Sequence, residues 1–127
     1  MKKKEILKFG KNKVLDLTNS IEVGCNVIEC GRDRFTLQEF KLQDGHDDSL
    51  PYSALLCLND KPICRCINDG WGGETEMQAL DAQTKVIMAS AMTNLRKFKW
   101  SYMETIFELK LDFIADTLAC GLCHKKC

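Results

Sequence analysis

The chain has 127 residues, 45% hydrophobic and 28% charged, and its eighteen basic side chains balance eighteen acidic ones. That length holds one core and not two, so residues 1–127 are read as a single domain, and a zero net charge creates no whole-molecule field drawing it onto nucleic acid or anionic lipid. No apolar run approaches the ~20 residues of a membrane span, and Glu5, Lys8 and Lys11 break up any signal-peptide core, so a cytoplasmic protein with no membrane partner is expected.

Charge is unevenly spread along the chain. Lys2, Lys3, Lys4, Lys8, Lys11 and Lys13 make a basic start, Asp44, Asp47 and Asp48 an acidic middle, and Arg96, Lys97, Lys99, Lys125 and Lys126 a basic end. Such clusters are usually solvated surface, but basic segments at both ends suit a phosphate backbone or an acidic partner.

Residues 1 to about 31 alternate weakly around Val14, Leu15, Leu17, Ile21 and Val23, with Gly24 and Gly31 as punctuation, and predict one or two short strands. Arg34–Leu42 reads as a strand whose parity changes: Phe35 and Leu37 share one face, Phe40 and Leu42 the other. That change predicts a bulge or two strands run together. Residues 43–49 are polar, without periodicity, and predict a loop. Tyr52–Leu58 is apolar on both parities, as in a central strand. A turn at Asn59–Pro62 and the alternating run Ile63–Ile67 complete a hairpin.

Beyond residue 70 the period shifts from two to about 3.6. Leu80, Thr84, Ile87, Ala91, Leu95 and Phe98 mark one helical stripe, started by a Thr75/Gln78 capping box and ending near Lys97. Phe107, Leu111, Ile114 and Leu118 mark a second, started by a Ser101/Glu104 box and stopped by Gly121. The expected fold is therefore α+β: a small antiparallel sheet over about 1–70, packed against two long helices over 76–120, with a Cys/Lys tail at 121–127. Such an amphipathic helix pair could also bury its stripe in a homodimer.

Three of the eight glycines and one of the two tryptophans fall in the stretch Asn68-Asp69-Gly70-Trp71-Gly72-Gly73-Glu74-Thr75. Glycine lets a backbone approach a ligand closely, and Trp71 offers a surface for stacking or apolar cover. A helix start just beyond would favour an anion, yet Glu74 and Glu76 place negative charge there, and the spacing matches neither the Walker A nor the dinucleotide pattern. The stretch thus reads as a tight strand-to-helix joint that displays or buries Trp71. The candidate contact residues are Asn68, Asp69, Gly70, Trp71, Gly72 and Gly73, with Arg96, Lys97 and Lys99 as a second, helix-borne surface.

Eight cysteines in a reducing compartment are small hydrophobes, metal ligands or reactive thiols rather than a disulfide framework. Cys120-Gly121-Leu122-Cys123-His124 contains the C-x-x-C-H string of c-type haem attachment, which normally requires export. Cys120, Cys123, His124 and Cys127 are instead the candidate ligands of a zinc site, lacking a clear second ligand pair; otherwise no cofactor is expected. Cys64 and Cys66 share one strand face, and are core if Arg65 faces solvent. His46 beside Asp47 and Asp48 is the nearest thing to a catalytic cluster, and turn composition explains it. No complete catalytic signature appears, and a non-enzymatic protein is expected.

The run Tyr52–Thr75 resembles a group of small proteins from bacteriophages and other bacterial mobile elements, in which an aromatic-Ser/Thr-Ala strand and a turn precede an Asn-Asp-Gly-x-Gly-Gly loop. Tyr52, Ser53 and Ala54 match the strand, and Asn68, Asp69, Gly70, Gly72 and Gly73 the loop, over about a fifth of the chain. The resemblance implies a phage-type inhibitor or sponge acting on host defence, of anti-CRISPR or anti-signalling type, whose partner is a defence protein or a nucleotide signal. The cysteine-bearing C-terminus has no counterpart in that pattern. The alternative from the residues themselves is a small regulatory nucleic-acid-binding module, stabilised by zinc.

Overall fold

The structure, a computed structural model, describes residues 6–17, 25–42, 51–69 and 74–126, the side chains of 123–126 excepted. The described residues form nine strands and two helices: β1 (Ile6–Phe9), β2 (Val14–Asp16), β3 (Val27–Cys30), β4 (Asp33–Leu42), β5 (Tyr52–Leu58), β6 (Lys61–Asn68), β7 (Glu76–Ala79), α1 (Ala82–Leu95), β8 (Lys99–Tyr102), β9 (Thr105–Glu108) and α2 (Leu111–Lys126). Six strands make one sheet, in the order β1-β3-β4-β5-β6-β7, and three make another, in the order β2-β8-β9.

The expected small sheet under two long C-terminal helices is thereby corrected. The chain is mainly β, the helices are short, and strands continue through the second half. Glu76–Ala79 extends the large sheet, with Cys66 facing Met77 and Cys64 facing Ala79. The Thr75/Gln78 box does not form, and Gln78 instead donates to Glu76 Oε1 at 2.8 Å. The first helix starts at Asp81, whose Oδ1 accepts from the Thr84 amide at 2.8 Å while Thr84 Oγ1 accepts from the Asp81 amide at 2.9 Å. This reciprocal box satisfies two amides that helix geometry leaves free.

The second predicted helix loses its first turns to a hairpin. Ser101 lies in β8 and Glu104 in the turn to β9, with Trp100 facing Phe107 and Tyr102 facing Thr105. Aromatic and β-branched residues at 100, 102, 105, 106 and 107 favour extended backbone. The decisive partner is remote, since β2 adds in parallel, Val14 against Lys99 and Leu15 against Trp100. Gly121 does not stop α2. It lies within the helix, and a Cβ there would sit 1.9 Å from the Cys25 carbonyl oxygen and 2.6 Å from its nitrogen. The glycine lets the helix backbone lie directly against the strand entering β3. The expected tail at 121–127 is thus largely the last turns of α2.

The β4 parity change is borne out. Registry slips between Gln38 and Lys41, and Glu39 takes a φ of 52°. The extra residue lets Leu37 and Phe40, of opposite parity, both pack on the core. The β5–β6 hairpin also forms as expected, turning through Asn59 and Asp60 with φ of 51° and 71°, as a two-residue hairpin loop requires. A second slip between Leu56 and Cys57 makes Ile63 an extra residue on β6. Ile63 consequently enters the core beside Cys64 instead of sharing an outer face with Arg65.

One apolar cluster joins the elements. Tyr52, Ala54, Leu56, Cys64 and Cys66 of the large sheet meet Ala91 and Leu95 of α1 and Leu111, Ile114, Ala115 and Leu118 of α2. The inner part of each predicted stripe is therefore correct, whereas Leu80 (45%) and Phe107 (40%) remain exposed.

Candidate functional site

Ile67 faces Glu76 across the β6–β7 pair. The stretch from Asn68, the end of β6, to Thr75 thus joins two antiparallel strands and is not a strand-to-helix joint, and α1 begins only at Ala82. That placement rules out a helix N-terminus at this loop, and with it the reading of an anion held by the start of α1. Gly70, Trp71, Gly72 and Gly73 lie outside the described residues, as do His46, Asp47 and Asp48. Asn68 and Asp69 lead into the loop, and Glu74 and Thr75 lead out.

The two ends of the loop are fastened together and to the core. Asn68 Nδ2 donates to Thr75 Oγ1 at 3.0 Å, and that hydroxyl donates to Asp116 Oδ1 at 2.5 Å. Tyr52 donates its hydroxyl to the same carboxylate oxygen at 2.9 Å. Each partner comes from a different element: β5 supplies Tyr52, β6 Asn68, the β7 approach Thr75, and α2 Asp116. Thr75 is 5% exposed, a buried polar side chain that hydrogen bonds on both sides satisfy. Tyr52 is fully buried, and its ring packs 5.9 Å from that of Phe40.

Burial sets the electrostatics here. It raises the Asp116 carboxyl above the ordinary range, with Asp112 adding to the effect and the Thr75 and Tyr52 hydrogen bonds opposing it. The Tyr52 phenol is also pushed up, by burial first and then by the Asp116 charge. The group is a chain of donors and acceptors that ends on one carboxylate oxygen. It positions a loop.

Beside it, Cys64 and Cys66 are completely buried while Arg65 is exposed, so the expectation that they belong to the core holds. The neighbouring Cys64 thiol and burial together raise that of Cys66. Burial also raises Cys25, to about 11, with Cys120 nearby contributing, and Cys30, to about 12. Thiols held protonated in this way are poor nucleophiles.

The other expected site residues are dispersed. Arg96 and Lys97 form the turn after α1, and Lys99 lies in β8, not on a helix. Lys99 Nζ contacts Glu108 Oε2 at 3.3 Å and the Arg96 carbonyl at 3.2 Å, which ties down one charge of the supposed basic surface. Cys120 sits on α2 beside Cys25. Among the described residues no group of three or more metal-ligating side chains converges. Of the remaining zinc candidates, the side chains of Cys123 and His124 and the whole of Cys127 lie outside the described residues.

Sequence reading missed Tyr52, Thr75 and Asp116 as a unit. The available signal was Asp116 itself, an acid directly after the apolar run Phe113-Ile114-Ala115 and close to the buried Leu118.

No protein-family model matches the chain, and neither does any curated protein or solved structure.

Proposed function

We propose that the chain is a non-enzymatic cytoplasmic binding protein whose contact element is the loop 68–75, and that it blocks or sequesters a component of host defence. The observation that carries this reading is the fastening of both loop ends through Asn68, Thr75, Asp116 and Tyr52. A loop held rigidly at its neck loses less conformational freedom on binding, so more of its contact energy appears as affinity. Its sequence includes Trp71, and tryptophan is often found at the energetic centre of interfaces. The partner class comes from the resemblance of Tyr52–Ala54 and Asn68–Gly73 to mobile-element proteins, which supports a defence protein or a nucleotide signal as target.

The test is phage plating on bacterial hosts that carry either a CRISPR nuclease or a nucleotide-signalling defence, with and without this chain expressed. Wild type should raise plating on at least one host. Trp71→Ala and Gly72→Asp, shown to be folded by circular dichroism, should not. No rescue on either host would refute the defence role, and rescue undiminished in both variants would refute the loop.

A further inference from the structure

Among the described residues the three-stranded sheet ends at β9, whose four residues are all exposed, Ile106 at 61% and Phe107 at 40%. Natural edge strands are blunted by shortness, by charged side chains, lysine above all, by proline or by a bulge, and β9 is short and bears one charge, Glu108. Thr105-Ile106-Phe107-Glu108 has no lysine and no proline, and its unbroken registry with β8 leaves no bulge. We propose that this edge pairs with a second copy of the chain, antiparallel, about a two-fold axis at Phe107.

The register follows from hydrogen-bond phase and charge. The Leu109 amide donates to the Phe98 carbonyl at 3.1 Å. By antiparallel alternation Phe107 and Thr105 also bond toward β8, and Ile106 and Glu108 turn their N–H and C=O groups to the free edge. A two-fold partner must match outward residues with outward residues. Centred on Ile106, the pairing sets Glu104 against Glu108. Centred on Glu108, it sets that glutamate against itself. Centred on Phe107, it exchanges hydrogen bonds between Ile106 and Glu108 and places Glu104 opposite Lys110, twice. Glu104 and Lys110 are both exposed. The Lys110 carbonyl already accepts from Ile114 at the start of α2, so this outer pair is an ion pair between side chains.

The aromatic arrangement agrees with the charge. Phe113 stacks on Trp100 with ring centroids 4.3 Å apart, and Trp100 on Phe107 at 4.6 Å. The stack stops at the exposed edge. In the Phe107-centred register the two Phe107 residues occupy a non-hydrogen-bonded pair, where side chains approach most closely. The stack then continues into its copy, and two three-stranded sheets become one of six.

Sedimentation equilibrium of the full chain, from low to high micromolar, tests this. Wild type should show a monomer–dimer equilibrium. Glu104→Lys and Lys110→Glu should each raise the dissociation constant roughly tenfold, since each reverses two cross-strand charge pairs per dimer, and the double exchange should restore it. Ile106→Pro removes an outward amide without touching the β8 ladder, and should give a folded monomer. A wild type monomeric throughout overturns the proposal. So does a dimer indifferent to the single reversals or not restored by the exchange, and the charge series decides even if the proline variant fails to fold.

Discussion

The Tyr52 hydroxyl and the Asp116 carboxylate meet at 2.9 Å across 64 positions of sequence, joining the centre of the large sheet to α2. The acceptor oxygen also receives Thr75, so deleting one donor leaves a buried carboxylate half-satisfied. Tyr52→Phe keeps the ring and removes the donor. Urea unfolding should show a loss of about 1–3 kcal/mol, and hydrogen exchange should speed up at residues 74–76. An unchanged midpoint would mean that the hydroxyl has no role in the neck.

Asp116 should also leave a mark on pH dependence. Its folded pKa lies above the ordinary value of 3.8 because burial disfavours the charge. The folded state therefore holds the proton more tightly than the unfolded state. The stability this contributes is fully present below 3.8 and is lost as pH rises through the folded pKa. Asp116→Asn cannot titrate. Measured by urea unfolding at a series of pH values, wild type should weaken relative to the variant as pH rises from acid to neutral, and a flat difference would contradict the assignment.

Gly121 is the most closely approached of the described glycines. Its missing Cβ would fall on the Cys25 backbone, which has no rotamer to yield. Gly121→Ala ordinarily favours a helix by about 1 kcal/mol. Here it should instead destabilise, by at least the ~1–3 kcal/mol typical of overpacking. Thermal melting decides between the two signs.

The β8–β9 turn carries non-glycine residues at positive φ, Met103 at 47° and Glu104 at 70°. Asparagine tolerates this region better than methionine. Met103→Asn should raise stability by about 0.5–1 kcal/mol, read from the urea midpoint, and leave the proposed edge pairing unchanged.

The local features of this fold were legible wherever neighbours in sequence decide the structure. The bulge in β4 announced itself in the parity of Phe35, Leu37, Phe40 and Leu42, and the Asn59–Asp60 turn in its composition. The inner helix stripes, Ala91 with Leu95 and Ile114 with Leu118, were equally visible. What misled was spacing without partners. Leu80 and Phe107 lie at helical intervals from buried residues, yet Leu80 precedes the true cap at Asp81 and Phe107 belongs to a strand. Residues 99–108 are extended because Val14–Asp16 pairs with β8, which no window over 99–108 contains. The site was half legible for the same reason. The loop stood out by its glycines, but its fastening joins β5 and α2, and only Asp116 directly after an apolar run hinted at that.

The parallel pairing of Val14 with Lys99, 85 positions apart (99 minus 14), also bears on how the chain acquires its shape. Contacts between distant segments carry a loop-closure cost before they return any stabilisation, so they slow folding. During synthesis β2 leaves the ribosome early and has no partner until the last quarter of the chain follows. The large sheet from β3 to β7 can assemble in the interval, whereas the small sheet waits for the final segment. Refolding of a Trp71→Phe variant, monitored by fluorescence of the remaining Trp100, should accordingly lag behind protection of the β4–β6 amides, making the second sheet the closing step.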